Sequence, residues 1–358
     1  MWFSFLEKQS LIPDSMVMNI KRRQFLTTCG LATLATQISP LTAQGKPSAN
    51  TSSKPPHLQA GDTVGLISPA GIVDAKDIEA AQQSFSQLGL KVKLGKHILD
   101  RYGYLAGKDA DRAQDVNLMF SDRTIKAIIP MRGGWGCNRI LPLLNYSLIG
   151  SHPKIIIGYS DITTLLLAIN ARSQMITFHG PVATSTWNQF TVDYFKRILF
   201  NAEAVAMQNL NPSEVRMEII APGKARGKLV GGNLSVLSAM VGSPYLPSWN
   251  KSILFVEEVG EDVYRIDRML TQLKTAGILN QIAGFIFGQC TKCSLGDEPS
   301  FTLMQVLQQH ILPLGIPAWY GSMIGHIKDK FTLPIGVEVE INAELGTIRM
   351  LEAAVSLV

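Results

Sequence analysis

The chain has 358 residues, of which 46% are hydrophobic and 17% charged, so it contains enough apolar material for a sizeable core, and its length favours two domains. Its formal net charge is +5, and the first 43 residues contribute +2 of this. The remaining +3 is too mild for a nucleic-acid-binding surface, and basic residues are not interleaved with aromatic ones. We therefore expect no nucleic-acid partner.

The N-terminal segment "KRRQFLTTCGLATLATQISPLTAQG" has the layout of an export signal. Arg22 and Arg23 precede a moderately apolar stretch that ends in small residues, an order typical of twin-arginine signals for folded bacterial proteins. We predict a signal over residues 1–43 and a periplasmic mature protein that begins near Gln44. A chance basic pair before a buried helix is the alternative, and a lipoprotein site at Cys29 fits less well.

No stable membrane insertion is expected, because the apolar part of this signal is too short to span a bilayer and no other segment is apolar enough. The mature chain keeps Cys137, Cys290 and Cys293. The "CTKC" pair has half the ligands of a zinc ribbon, with no second pair and no close histidine pair. A redox pair is conceivable, but we expect two incidental cysteines near a strand end. We expect no metal.

Sequence patterns divide the mature chain into two α/β halves. A polar, Pro/Ser-rich linker over residues 44–57 is followed, in 58–185, by strands that alternate with helices. This alternation predicts a parallel sheet covered on both faces, with right-handed crossovers. The pattern loosens in 186–226, which we interpret as an inter-domain linker, and a mixed β/α domain follows in 227–358.

The stretch "IIIGYSDIT" at residues 155–163 predicts a sharp corner between a buried strand and a helix. Ser160 lies at its apex, which is the arrangement of a nucleophile elbow, and the amide of Asp161 is the natural first oxyanion donor. The pattern lacks the second glycine of the α/β-hydrolase elbow, because Ile162 takes that place. The alternative is that Ser160 simply caps the helix.

A serine nucleophile needs a base and an acid that orients the base. His326 lies in "WYGSMIGHIKDKFTLP", a glycine-rich loop setting that suits catalysis. Glu257 and Glu258 end the apolar strand of "ILFVEEVGED", at the carboxyl end where ligands bind in α/β sheets. Periodicity alone does not choose between these glutamates. The other candidate bases are His57, His97, His152, His179 and His310.

A glycine cluster, "MRGGWGCNRIL", joins another strand to a helix. Backbone amides in such a turn can form an anion-binding nest. The cluster is neither a Walker loop, since no Gly-Lys-Ser/Thr follows, nor a dinucleotide fingerprint. We expect Gly133 or Gly134 to supply the second oxyanion donor.

Taken together, these motifs resemble the LD-carboxypeptidase family of serine peptidases, which includes the microcin-immunity peptidases. The resemblance spans residues 58–350 and rests on motifs in the family's order: "GDTVGLISPAG", "MRGGWGCNRIL", "IIGYSDIT", "HGP", "GGNLSVL", "LFVEEVGEDVYRIDRMLTQL" and "GHIKDKFTLPIG". It implies an N-terminal parallel-sheet α/β nucleophile domain, a C-terminal swivelling β/α domain, and a site between them.

By this resemblance Ser160 is the nucleophile, Glu257 the acid and His326 the base, although Val-Glu-Glu stands here where Leu-Glu-Asp is typical. The oxyanion would lie on the amides of Asp161 and of Gly133 or Gly134. The implied reaction removes terminal D-alanine from murein tetrapeptides, with no metal or organic cofactor. The murein peptide is then the expected partner.

Two other functions remain open from the sequence. A microcin-immunity-type peptidase acting on peptidyl or aminoacyl nucleotides would use the same triad, and the export signal argues against it. A non-catalytic periplasmic binding protein would also have two α/β lobes, but it would have no use for the triad. The sequence leaves open the oligomeric state, including a homodimer, and the substrate-carboxylate anchor, for which Arg132 and Arg265 are candidates.

Overall fold

The computed structural model describes residues 52–209 and 217–357. The predicted signal over residues 1–43, with Arg22, Arg23 and Cys29, lies outside the described residues. Within the described ranges, no helix has the length and apolar character needed to cross a membrane.

The strands, in chain order, are β1 (Thr63–Ile67), β2 (Lys91–Leu94), β3 (Ile125–Pro130), β4 (Ile155–Gly158), β5 (Thr177–His179), β6 (Ala206–Met207), β7 (Glu218–Ala221), β8 (Lys224–Asn233), β9 (Ile253–Val259), β10 (Gly284–Thr291), β11 (Ala318–Tyr320), β12 (Leu333–Ile335), β13 (Glu338–Asn342) and β14 (Thr347–Met350). The α-helices are α1 (Ala75–Gln87), α2 (Asp109–Ser121), α3 (Cys137–Ile140), α4 (Tyr146–Ser151), α5 (Thr163–Ser173), α6 (Gln189–Leu199), α7 (Leu234–Ala239), α8 (Val263–Thr275) and α9 (Leu303–Ile311). Short 3-10 turns lie at Leu141–Leu143, Ser160–Ile162 and Leu312–Leu314.

The first sheet has the strand order β12-β5-β4-β3-β1-β2. Strands β1 to β5 pair in parallel, as the alternation of strands and helices predicts. Ile155, Ile156 and Ile157 in the central strand β4 are fully buried, because helices cover both faces of a parallel sheet. The predicted parallel α/β sheet is confirmed.

The second sheet has the order β6-β14-β13-β8-β9-β10-β11-β7. Its centre, β8 to β11, is parallel, and antiparallel strands flank the centre on both sides. Gly231 in β8 allows the close approach of β9, since a Cβ at that position would lie 1.8 Å from the carbonyl oxygen of Phe255. This mixed sheet confirms the predicted β/α character of the C-terminal half.

Two parts of the chain depart from the division drawn from the sequence. Residues 186–226, interpreted as a linker, contain helix α6 and strands β6 and β7. Helix α6 begins with the Asn188 side chain accepting a hydrogen bond from the Thr191 amide, and it buries an apolar face. Strand β12, from the C-terminal half of the sequence, pairs antiparallel with β5 and so extends the first sheet.

Arg112 in α2 ties together the loops at one edge of the first sheet. Only 1% of this residue is exposed, and its guanidinium donates to the carbonyls of Pro69, Gly107 (3.2 Å) and Gly136 (3.0 Å) and pairs with Asp109 (2.6 Å). These carbonyls belong to loops at the carboxyl ends of the strands, the edge at which α/β sheets bind ligands. A buried hydrogen-bonded hub of this kind makes that edge rigid.

Cys290 and Cys293 form a disulfide, with their Cα atoms 5.5 Å apart. The expectation that these cysteines are incidental is therefore wrong. The bridge closes a short loop at the end of β10, and this loop pairs through Ser294 with Asp262, just before α8. Cys137 is free and buried.

Candidate active site

Strand β4 turns into helix α5 through a strained corner at Ser160. The chain leaves Gly158, passes through the extended Tyr159 (φ −145°, ψ −174°) and reaches Ser160 at φ +62°. A positive φ in a non-glycine residue is unfavourable and is concentrated at functional sites. The corner is compact, because a Cβ at Gly158 would lie 2.7 Å from Cγ2 of Ile162. The predicted corner at Ser160 is confirmed.

The glycine cluster after β3 passes directly beside this serine. A Cβ built on Gly133 would lie 2.8 Å from the Ser160 Oγ and 3.3 Å from the Asp161 amide nitrogen, so only glycine fits there. Gly134 has φ +133°, a region that favours glycine. The structure thus brings both predicted oxyanion segments to the serine.

The Asp161 side chain locks the two segments together. Its carboxylate accepts a hydrogen bond from the Cys137 amide at 2.9 Å, where α3 begins directly after the glycine cluster. Burial raises the pKa of this carboxyl group, although the hydrogen bond from Cys137 opposes the shift. The sequence pointed to the Asp161 backbone and missed this role of its side chain.

Glu257 and His326 form a hydrogen-bonded pair in which the glutamate is buried and the histidine partly exposed. The His326 Nδ1 lies 2.8 Å from the Glu257 Oε2, and Glu257 is fully buried at the end of β9. Gly325 makes this approach feasible, because it has φ +117° and a Cβ there would lie 2.6 Å from the same carboxylate oxygen. When Nδ1 donates its hydrogen to this carboxylate, Nε2 is left free to accept a proton.

Glu258 points to the other face of β9 and binds a different set of groups. Its carboxylate accepts hydrogen bonds from the amides of Ser235 (2.7 Å) and Val259 (2.9 Å) and from the side chain of Asn233 (3.1 Å). It therefore stabilises the start of α7, where backbone amides lack intrahelical partners. Burial raises the pKa of Glu258. The two glutamates, which periodicity could not separate, thus have distinct partners.

Tyr159 connects the serine corner to the histidine. Its ring packs edge-on against the His326 ring, with centroids 4.8 Å apart. The hydrogen bonds found among the described residues do not include one between the Ser160 hydroxyl and His326. Such contacts are often long in unliganded enzymes and tighten when substrate binds. The remaining histidines bond to other groups or are buried: His57, His97, His152, His179 and His310.

Two buried polar residues, Lys330 and His179, lie near this pair, and the sequence interpretation named His179 only as a candidate base and missed Lys330. Lys330 is 4% exposed, and its Nζ lies 5.0 Å from the centroid of the Tyr159 ring. Burial lowers its pKa to about 8, while the charge of Glu257 opposes the shift. His179 is 2% exposed, and burial lowers its pKa to about 4, so it is neutral at physiological pH. The only sequence feature that could have indicated the burial of Lys330 is its position between His326 and the apolar strand β12.

Ser160 opens into a cavity of about 300 Å³. The lining mixes polar and apolar groups and includes Gly134, Trp135, Asn138, Asp161, Asn233 and Val236. Of the two candidate carboxylate anchors, Arg132 is exposed beside Gly133. Arg265 lies on α8, where its Nε is 3.1 Å from the Tyr264 hydroxyl.

Among the described residues, the one group with ligand atoms close enough for a metal is His97, Asp100 and Asp111. Both ring nitrogens of His97 already make hydrogen bonds, to Asp100 at 2.8 Å and to Gln114 at 3.0 Å. The group is therefore explained by its own contacts, and we assign no metal to it.

Comparisons with known proteins identify the family of the chain. Models of the LD-carboxypeptidase N-terminal and C-terminal domains match residues 64–180 and 226–341. The chain belongs to the LD-carboxypeptidase family. A "Probable murein peptide carboxypeptidase" of Bacillus subtilis (strain 168) is 40% identical over 309 residues, which cover 85% of this chain and 95% of the relative. The chain is thus a hydrolase of the carboxypeptidase type.

Solved structures share the fold. MccF in complex with glutamyl sulfamoyl guanosine superposes with a TM-score of 0.78 at 26% identity, covering 85% of this chain and 99% of that one. The muramoyltetrapeptide carboxypeptidase from Oxalobacter formigenes gives a TM-score of 0.70 at 26% identity, covering 80% and 97%. The family therefore includes relatives named for two different substrate types.

Substitution of Gly133 by alanine should lower kcat for peptide hydrolysis by about 10²-fold or more, because the new methyl group displaces Ser160 and an oxyanion donor. The measurement is steady-state hydrolysis of a murein tetrapeptide. Gly150→Ala is the matched control, since its nearest neighbour would be 3.6 Å away, and it should keep full activity. Equal activity of both variants would contradict this placement of the glycine cluster.

Substitution of Lys330 by methionine should raise the free energy of unfolding at neutral pH. This gain over the unsubstituted protein should become smaller at high pH. The pKa of Lys330 in the folded protein, about 8, lies below the ordinary lysine value of 10.5, so the charged lysine opposes folding by roughly 3 kcal/mol below pH 8. Between these values the unfolded chain binds the extra proton, and stability rises with pH.

Urea unfolding at pH 7 and at pH 9.5 measures the effect. The stability difference between Lys330→Met and the unsubstituted protein should shrink at the higher pH. Lys328→Met, at an exposed position two residues earlier, should show no such pH-dependent difference. A constant difference for Lys330→Met would mean that the lysine is not buried as a charge.

Proposed function

We propose that the protein is a serine-type LD-carboxypeptidase that releases terminal D-alanine from murein tetrapeptides. The observation that carries this is the hydrogen-bonded Glu257–His326 pair at 2.8 Å, beside the strained corner that presents Ser160. The 40% identity to a relative named a probable murein peptide carboxypeptidase supports the substrate class. A binding protein would have no use for a strained serine beside an oriented imidazole.

In the proposed reaction, the His326 Nε2 accepts the proton of Ser160 as its oxygen attacks the carbonyl of the scissile amide. The oxyanion forms between the amides of Asp161 and Gly133, with Gly134 next to it, where preorganised donors stabilise developing charge. His326 then protonates the leaving amine of D-alanine. Water hydrolyses the acyl-enzyme by the same proton route in reverse.

A carboxypeptidase also has to recognise the terminal carboxylate. Arg132 precedes Gly133 and is exposed, and its Nη1 contacts only the carbonyl of Ile72, at 3.5 Å, in the hydrogen bonds found for it. Arg265 is occupied by Tyr264 and by Glu261, at 3.7 Å. We therefore assign the anchoring role to Arg132.

The alternative is a microcin-immunity-type peptidase that cleaves peptidyl or aminoacyl nucleotide amides. The TM-score of 0.78 to MccF bound to glutamyl sulfamoyl guanosine favours it. The same three side chains would perform the chemistry, so the site geometry supports both functions equally. The higher identity to the murein-named relative favours the first function.

The proposal is tested by incubating the mature protein with two tetrapeptides that differ only in a terminal D- or L-alanine. Mass spectrometry should find tripeptide and free alanine from the D-form, and far slower cleavage of the L-form, because a chiral pocket leaves the wrong isomer badly placed. Equal cleavage of both, or cleavage of an aminoacyl nucleotide alone, would refute the murein assignment.

Variants test the catalytic roles with the same assay. Ser160→Ala and His326→Ala should each lower kcat by roughly 10⁴ or more, and the double variant should lose little further, because groups that act as a unit are non-additive. Glu257→Gln should lower kcat severely. Glu258→Gln is the matched control, and it should reduce thermal stability while largely preserving kcat. The opposite result for the two glutamates would reverse their roles.

We further propose that the protein acts in the periplasm. The Cys290–Cys293 disulfide supports this, since such bonds persist in oxidising compartments. Replacing Arg22 and Arg23 with lysine should leave a precursor in the cytoplasm with these two cysteines reduced, as measured by fractionation and thiol labelling. Lys21→Gln, which keeps the arginine pair, should be exported normally. Normal export of the double-lysine variant would refute a twin-arginine route.

A further inference from the structure

Two exposed aromatic rings stand at the rim of the Ser160 cavity. Trp135 is 50% exposed and lines the cavity, and Tyr104 is 70% exposed. Their rings pack edge to face with centroids 5.7 Å apart. Contiguous exposed aromatic surface beside a cleft marks a binding surface rather than core material.

The rim that carries these rings is rigid. The amide of Tyr102 donates to the carbonyl of Leu105 at 2.9 Å, and the amide of Leu105 donates back at 3.0 Å. The amide of Ala106 donates to the carbonyl of Ala70, also at 3.0 Å. Leu105 packs so closely on the glycine cluster that a Cβ on Gly136 would lie 2.5 Å from it. Ligand binding here therefore requires little ordering of the chain.

Polar groups border the same surface. The Arg139 guanidinium contacts the Asp109 carboxylate through two nitrogens at 2.9 Å, and 42% of the Arg139 side chain is exposed. Its charge interacts with the hydroxyls of Tyr102 and Tyr104. The rim thus combines flat apolar faces with hydrogen-bonding groups, which is the chemistry that a pyranose ring requires.

The cavity is too small for a complete murein stem. An extended peptide spans about 3.3–3.6 Å per residue, so the stem residues farthest from the scissile amide lie about 10 Å from Ser160. The cavity of about 300 Å³ cannot enclose them, and they must cross its rim. In murein, the far end of this stem is joined to an N-acetylated amino sugar.

We propose that Trp135 and Tyr104 form a platform for the amino sugar attached to the stem peptide. The inference rests on the proposed murein function and adds to it that the enzyme prefers glycan-linked tetrapeptides over free ones. The peptide end occupies the cavity at Ser160, and the sugar ring lies against the aromatic faces. The exposed part of the Arg139 guanidinium lies beside these faces and can donate to the hydroxyl or acetamido oxygens of the sugar.

The kinetic test compares a disaccharide-tetrapeptide with the free tetrapeptide. Tyr104→Ala should raise KM for the glycan-linked substrate by about tenfold while changing kcat/KM for the free peptide less than about threefold. Phe301→Ala is the control, because this ring is similarly exposed (54%) but lines a separate cavity. Equal kcat/KM of the unsubstituted protein for both substrates, or equal losses on both in Tyr104→Ala, would overturn the platform.

A binding test does not depend on turnover. The Ser160→Ala protein is titrated with the murein disaccharide lacking any peptide, and tryptophan fluorescence is followed. A saturable change whose midpoint moves to much higher disaccharide concentration in Ser160→Ala/Tyr104→Ala supports the platform, and no change overturns it. Tighter binding of adenosine than of the disaccharide also overturns it, in favour of a nucleobase ligand. Absence of peptidase activity beside clear sugar binding would count against the proposed function alone.

Discussion

The left-handed backbone of Ser160 is held in place by the elements that surround it. Strand β4 is buried between β3 and β5 and cannot shift, and Gly158 lets the corner fold tightly against Ile162. The Asp161 carboxylate holds the start of α3, and with it the glycine cluster, against the same corner at 2.9 Å. A strained residue persists only where its surroundings fix its conformation. The first sheet therefore holds the Ser160 hydroxyl group in one position.

The second sheet supplies the acid, Glu257, so its strands have to be aligned with the corner that carries Ser160. The Asn233 amide at the end of β8 donates to Oγ1 of Thr163 at the start of α5, at 3.1 Å. A Cβ on Gly232 would lie 2.4 Å from the same threonine side chain, so glycine is needed for the approach. Glu257, next in register to Asn233 on β9, is thereby carried to the serine corner. The alignment of the catalytic groups follows from strand pairing.

Local patterns predicted those parts of the molecule that depend on nearby residues. The corner at Ser160 and the alternation of strands and helices needed only short-range signals, and the resemblance to a known family supplied the pairing of Glu257 with His326. Long-range contacts had no such signal. The pairing of β12 with β5 joins residues about 155 apart in the chain, and the pattern of a three-residue strand is too short to predict which strand it pairs with. Burial of Lys330 follows from that same return of the chain.

The pairing of β12 with β5 brings Lys330 close to the catalytic pair. A fully buried carboxylate such as Glu257 is costly unless opposite charge or donors surround it, and His326 contacts only one of its oxygens. The Lys330 ammonium group, which lies over the Tyr159 ring, supplies a further positive charge near Glu257. Burying that ammonium group is itself unfavourable, as its lowered pKa shows. In the proposed reaction His326 becomes a cation between these charges and must then release its proton to the leaving amine. Glu257 stabilises that cation, and the positive charge of Lys330 beside Glu257 limits this stabilisation, so that His326 can pass its proton to the leaving amine.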